Sequence, residues 1–172
     1  KIINFKPNDM TVDSIWSFLS HKFKNFSGLT IAVVGAGNIG FKIALKLVES
    51  GCNVNLYRRD EIKGMQYVNC INTVKHKNTI ADAKFFNDPI KASTLCHAII
   101  GTGKTNSLLI SRPMVSVMLE NGVLIDCGKG NISEDAVKVA LDTGVKIFRT
   151  DVSSGIISFV NEASEIKNII NN

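Results

Sequence analysis

At 172 residues with 45 % hydrophobic content, the chain suffices for one well-buried core and is too short for two domains of ordinary size. Twenty Lys and Arg against fifteen Asp and Glu leave a formal charge of +5, spread thinly along the chain, which suits anionic small ligands and argues against nucleic acid as a partner. No apolar stretch nears the ~20 residues that cross a bilayer, and the first residues lack a signal-peptide layout, so no membrane partner is expected.

Residues 1–28 read as a lead-in. Ile2-Ile3-Asn4-Phe5 is extended, Pro7-Asn8-Asp9 turns, and a helix starts near Thr11 with Val12, Ile15, Trp16 and Leu19 on one face, capped by Thr11 or Asp13. Trp16, Phe18, Phe23 and Phe26 form a hydrophobic patch expected to pack on the domain that follows. Residues 29–172 then alternate between strand-like and helix-like segments with no linker or repeat between them.

The strands are expected at 30–35, Val54–Tyr57, Lys84–Phe86, Ala98–Ile100, Val123–Ile125 and Val145–Phe148. Between them, a helix runs from Asn38 to Ser50 with Gly51 as its stop, and another over 61–76 places Ile62, Met65, Val68, Ile71 and Val74 at three-residue steps. Asp88-Pro89 opens the next helix, and the helix after the fourth strand ends near Asn121-Gly122. Ser133 caps a helix that Gly144 ends, and Ser153–Ile170 is the last one. Six strands alternating with helices imply a mostly parallel, doubly wound α/β sheet of the Rossmann type in a single domain preceded by an N-terminal helix.

The most informative segment is Gly35-Ala36-Gly37-Asn38-Ile39-Gly40, lying straight after the apolar run Ile31–Val34 and at the start of a helix. In that position Gly35 lets the strand turn, Gly37 lets backbone N–H groups approach a pyrophosphate, and Gly40 lets helix pack on strand. Asn38 and Ile39 contribute backbone donors from the helix N-terminus, whose partial positive charge favours a diphosphate.

About twenty residues past the first glycine this fold normally carries an acidic residue that binds the adenine-side ribose. Here that neighbourhood reads Tyr57-Arg58-Arg59-Asp60. Two guanidiniums offer bidentate donors to a 2′-phosphate, so NADP(H) is expected over NAD. Two alternatives stay open: Asp60 binds the ribose one or two residues late, or Arg58 stacks on the adenine while Arg59 holds the phosphate.

Ligands in an open parallel sheet lie at the carboxyl ends of the strands, beside the switch point between the first and fourth. That rule selects the loop Gly101–Asn106 after the fourth strand, with Thr102, Gly103 and Lys104, and the loop Asp126–Asn131 after the fifth, with Cys127, Gly128 and Lys129. Asp126 equally reads as a cap on its own glycine-rich turn. Ala98–Thr105 loosely fits the phosphate-binding pattern A-x-x-x-x-G-K-T, but Ile99 and Ile100 belong in a sheet, which argues against it. His97 reads as a partly buried histidine bonded to backbone, and three scattered histidines with no Ser/His/Asp or Cys/His grouping predict no metal and no identifiable catalytic residue. Cys52, Cys70, Cys96 and Cys127 are widely spaced without a C-x-x-C pair, pointing to unoxidised thiols and a cytoplasmic setting.

From Gly28 to Asp151 the chain resembles the cofactor-binding half of two-domain NAD(P)-dependent enzymes of the amino-acid dehydrogenase-like group. Phe26-Ser27-Gly28-Leu29-Thr30 and Gly122–Gly128 resemble the methylenetetrahydrofolate dehydrogenase type. Gly128–Asp135, Ala140–Gly144 and Thr150-Asp151-Val152 are similar to the D-2-hydroxyacid dehydrogenases, a resemblance that places Lys129 where that family has a substrate-binding arginine. After Asp151 the chain offers Ser153-Ser154-Gly155 and no histidine, so the hydroxyacid activity itself is not expected from these residues. The resulting expectation is an NADP(H)-binding domain of an oxidoreductase. Its small-molecule substrate comes from a missing domain or partner, since the chain starts at Lys1 and reads as a fragment of a larger protein. Pairing into a homodimer is left open, and a dinucleotide-sensing module without turnover is the alternative.

Overall fold

The computed structural model describes residues 6–170, so the expected extended Ile2–Phe5 lies outside the described residues. Helix α1 covers Pro7–Lys22, and β1, Thr30–Val34, opens the sheet. Then follow α2 (Asn38–Glu49), β2 (Asn53–Tyr57), α3 (Glu61–Val74), β3 (Ala83–Phe86) and α4 (Pro89–Ser93). The second half is β4 (Ala98–Gly101), α5 (Arg112–Ser116), β5 (Val123–Asp126), α6 (Glu134–Asp142), β6 (Lys146–Arg149) and α7 (Ser153–Ile170).

All six strands pair in parallel in the order β3-β2-β1-β4-β5-β6, so the winding reverses between β1 and β4. The doubly wound dinucleotide fold has this order. Both faces of the sheet are covered, which explains strands that read as unbroken apolar runs. Ile31, Val33, Ala98, Ile100, Val123 and Ile125 point into the layer holding α1 and α2. Their neighbours Ala32, Val34, Ile99 and Leu124 point into the layer holding α5 and α6.

Helix α1 belongs to the first of these layers, contributing Val12, Ile15 and Leu19 to its core. Trp16 stacks on Phe26 at 5.1 Å between ring centroids and Phe18 meets Phe148 at 4.2 Å, so the aromatic patch packs inward. Lys42 of α2 pairs with Asp9, and Lys46 with Asp13 at 3.4 Å.

Three sequence expectations need correction. Helix α1 begins at Pro7 rather than near Thr11: Pro7 occupies the first turn, Thr11 donates to the Pro7 carbonyl, and Asp13 faces Lys46, so neither caps it. In α3 the buried residues are Gly64, Val68 and Ile71, whereas Ile62, Met65 and Val74 are exposed, because the face repeats at four and three residues rather than at every third. Helix α5 is one short turn that stops at Ser116, and the chain reaches Gly122 through a turn with Asn121 at positive φ.

Candidate functional site

The register aligns the last residues of the strands in one row, Phe86-Tyr57-Val34-Gly101-Asp126-Arg149, and the loops leaving this row form the carboxyl rim of the sheet. Over the switch point lies a cleft of about 590 Å³. Its walls come from three loops: Gly35, Ala36 and Gly37 after β1, Tyr57 to Asp60 after β2, and Thr102 to Ser107 after β4, with Leu109 behind.

The three motif glycines play different parts. Gly35 sits at φ +81°, and a Cβ there would fall 2.6 Å from Leu109 Cδ1, so both turn and packing demand glycine. A Cβ at Gly40 would lie 2.6 Å from the Thr102 hydroxyl and 3.2 Å from Val33, which fixes the close approach of α2 to the sheet. At Gly37 a Cβ would meet nothing within 4 Å and φ is not positive. Gly37 is the N-cap of α2, no side chain caps the helix, and its first turn carries no acid. The leading amides of α2, including those of Asn38 and Ile39, have no intrahelical acceptor, and they follow directly on Gly37, which lines the cleft.

At the β2 side Arg58 donates from Nη1 to the Ala36 carbonyl at 2.5 Å and lies over the Tyr67 ring, 5.3 Å from its centroid. Arg59 is exposed and lines the cleft. Asp60 is the N-cap of α3, accepting from Lys63 N at 3.1 Å. That backbone hydrogen bond, with the charges of Lys63 and Arg58, holds its carboxyl below the ordinary value despite some desolvation.

The β4 and β5 loops are tied together by Asn131, which is fully buried. Its side chain accepts from Gly103 N at 3.1 Å and donates to the carbonyls of Lys104 and Ser107, both at 2.9 Å. Asp126 in turn accepts from Gly128 N, Gly130 N and Asn131 N at 3.2, 2.7 and 3.3 Å, so it caps its own turn. A Cβ on Gly128 would collide with the Gly103 carbonyl oxygen and the Asn131 amide. Thr102 turns its hydroxyl to the Val34 carbonyl at 3.3 Å.

Of the residues selected from sequence, Gly35, Gly37, Tyr57, Arg58, Arg59, Thr102, Gly103 and Lys104 line the cleft together. Asn38, Ile39, Gly40, Cys127, Gly128 and Lys129 do not line it. The Cys127 sulfur accepts a hydrogen bond from the Thr150 hydroxyl at 3.4 Å and packs toward the core under α1; burial, reinforced by the Asp126 charge, pushes its thiol up to about 12. Gly128 supports Gly103 from below, and Lys129 is an exposed residue at φ +60° whose carbonyl accepts from Asn106 N. Ile99 and Ile100 are fully buried in β4, which rules out a phosphate loop around Lys104. His97 accepts from Thr30 N at the opposite end of the sheet. Among the described residues no three His, Cys, Asp or Glu side chains gather into a metal site. No helix of the described chain is long and apolar enough to cross a membrane.

Sequence reasoning placed Asn131 in a candidate loop without a role and missed Tyr67. Both are polar-capable residues in ordinary contexts, a glycine-rich turn and a helix, and only the fold shows one buried at a loop junction and the other beneath a guanidinium.

Solved structures share this fold at low identity. A cinnamyl alcohol dehydrogenase from Sorghum bicolor superposes with a TM-score of 0.65 at 19 % identity, covering 92 % of this chain and 43 % of that one. The A chain of dipicolinate synthase from Bacillus subtilis gives 0.66 at 15 % identity, covering 95 % and 54 %. A CAD from Helicobacter pylori complexed with NADP(H) gives 0.62 at 19 % identity, covering 86 % and 40 %. The chain thus spans about half the length of the solved chains it resembles. No curated protein is similar enough in sequence to count as a relative. Residues 5–155 match the family described as D-isomer specific 2-hydroxyacid dehydrogenase, NAD binding domain. With that match spanning most of the chain and a 3-2-1-4-5-6 parallel sheet beneath it, the chain belongs to the NAD-binding domain family of the D-isomer specific 2-hydroxyacid dehydrogenases.

Proposed function

We propose that this chain is the NADP(H)-binding half of an oxidoreductase, with the diphosphate lying across the glycine-rich turn at the amino end of α2. The observation that carries the reading is Gly37. Each of the other twelve glycines has either a positive φ or a neighbour that a Cβ would press against; Gly37, an N-cap at φ −107° and ψ −147°, has neither, so no packing neighbour in the chain requires it to lack a side chain. A ligand laid against the backbone does, because a Cβ there would stand between a pyrophosphate and the open amides of α2.

Two features support the phosphorylated dinucleotide. Arg58 and Arg59 occupy the end of β2, where a carboxylate would repel a 2′-phosphate, and Asp60 is committed to capping α3. A structural neighbour, the Helicobacter pylori CAD, is itself complexed with NADP(H). When bound, the nicotinamide supplies the hydride chemistry. The chain's own part is to orient it: the α2 amides hold the diphosphate, and Thr102 and Gly103 line the way toward the nicotinamide. A small-molecule substrate is delivered by a further domain or partner, and four free thiols suit a reducing, cytoplasmic setting.

The test is a fluorescence titration of the purified chain with NADPH and NADH, repeated for Gly37→Ala. The variant keeps wild-type stability to within about 1 kcal/mol, the scale of an N-cap change. It loses at least about tenfold in NADPH affinity, or some 1.4 kcal/mol. Unchanged affinity in a folded variant would overturn the proposal.

A further inference from the structure

We infer that the two consecutive arginines after β2 divide their work: Arg58 is a positioning residue that locks the glycine-rich turn, and Arg59 alone discriminates the 2′-phosphate. The inference rests on the dinucleotide reading above and assigns the specificity within it.

Arg58 is held at two points. Its Nη1 donates to the carbonyl of Ala36, the residue between the first two motif glycines. Its guanidinium lies over Tyr67 of α3, with Cζ 5.3 Å from the ring centroid, and Tyr67 is backed by Phe41 of α2 at 5.1 Å. Its Nε is buried without a hydrogen-bond partner. A guanidinium so placed is a strut between the turn after β1 and the helices α2 and α3. With Nη1 given to Ala36 and Nε out of solvent reach, neither donor fork of this side chain is presented whole to a phosphate.

Arg59 is the opposite case. It is exposed, lines the cleft, and has no hydrogen bond or ion pair among the described residues. All five of its donors are free to meet an anion, and a free planar fork at the end of β2 is what a phosphate on the adenine ribose requires. The lock also explains why the chain carries an arginine at 58 whichever nucleotide is bound. The turn contains two glycines around Ala36, and a charged donor on the Ala36 carbonyl limits its freedom, keeping the leading amides of α2 aimed outward.

The experiment uses the purified chain with Arg58→Met, Arg58→Lys and Arg59→Met, read by NADPH and NADH titration and by amide hydrogen exchange over residues 35–40. Arg59→Met is expected to weaken NADPH by roughly 10- to 100-fold, the loss of charged hydrogen bonds, with NADH unchanged. Arg58→Met is expected to weaken both nucleotides by the same factor, about fivefold or more, and to speed exchange within 35–40 at the Gly35 and Ala36 amides, which donate to the Tyr57 carbonyl, while β5 and β6 stay protected. Arg58→Lys, which restores one donor to Ala36, recovers part of both effects. If Arg58→Met weakens NADPH alone, or leaves exchange at 35–40 unchanged, the lock is wrong. Equal losses of NADPH and NADH in Arg59→Met would overturn its role as the phosphate reader. If the unaltered chain binds neither nucleotide, the dinucleotide reading fails, whereas exchange in Arg58→Met still decides whether the strut exists.

Discussion

Replacing Asn131 by alanine removes a side chain that joins two loops at the carboxyl rim, and its cost follows from three hydrogen bonds. The change deprives Gly103 N–H of an acceptor and the Lys104 and Ser107 carbonyls of donors, at 3.1, 2.9 and 2.9 Å. Each such bond is worth about 1 kcal/mol net, so the variant should lose about 3 kcal/mol. In a chain of this length that corresponds to a fall in melting temperature of roughly 6 to 12 °C. Urea denaturation with an unchanged m-value measures it; a loss below about 1 kcal/mol would show that solvent already satisfies these loops and would refute the clamp. Asn131→Asp sharpens the test. The introduced carboxylate still accepts from Gly103 but turns an oxygen toward two carbonyls and lies near Asp126, so its folded-state pKa rises above the unfolded value. A raised folded pKa means the folded state binds more protons. The aspartate variant therefore gains stability relative to wild type as pH falls from 7 toward 5, and the alanine variant does not.

Gly128→Ala drives a methyl group into the Gly103 carbonyl and the Asn131 amide and should cost about 1 to 3 kcal/mol by the same denaturation assay, unlike Gly37→Ala, whose methyl group meets no protein atom. Alkylation of the native chain by iodoacetamide at neutral pH should label Cys70, the exposed thiol, and spare Cys52 and Cys96, which mass spectrometry of the tryptic peptides reads directly. Burial pushes the thiols of Cys52, Cys96 and Cys127 up to about 12 from 9.0. Above pH 9 the unfolded chain releases protons that the folded chain keeps. Stability should therefore fall between pH 9 and 12, by on the order of 1 kcal/mol per pH unit for each thiol, and Cys96→Ala should make that decline shallower.

The sheet was legible because its central strands β1, β4 and β5 are apolar runs of four or five residues with glycine at or next to an end. A run such as Ile31–Val34, unable to expose either face, fits the interior of a parallel sheet and little else. Helices with an explicit cap were placed to the residue, as at Asp88, which accepts from Ile90 N, and Ser133, which accepts from Ala136 N. Where the start relied on tertiary support the reading slipped: α1 has no side-chain cap and begins at Pro7, held by Asp9 against Lys42 across the interface with α2. The exposed face of α3 misled for a related reason. Ile62, Met65 and Val74 are apolar without being core, and periodicity alone cannot separate a buried stripe from a hydrophobic surface.

At the cleft the same division holds, and it says something about how the site is built. Residues that act through their backbone conformation or their absence of a side chain, Gly35, Gly37 and Gly40, announce themselves in sequence because few other residues fit. Residues that act by position do not: Asn131 looks like any turn asparagine, and Arg58 looks interchangeable with Arg59. Yet those two fix opposite walls, one tying the β4 loop to the β5 loop and the other tying the turn after β1 to α3. Between the two braced walls, the amino end of α2 is left without a side-chain cap. A cleft with rigid sides and unpaired donors at its edge pays little ordering cost when an anion arrives, so the affinity of the site depends on the bracing as much as on the groups that touch the ligand.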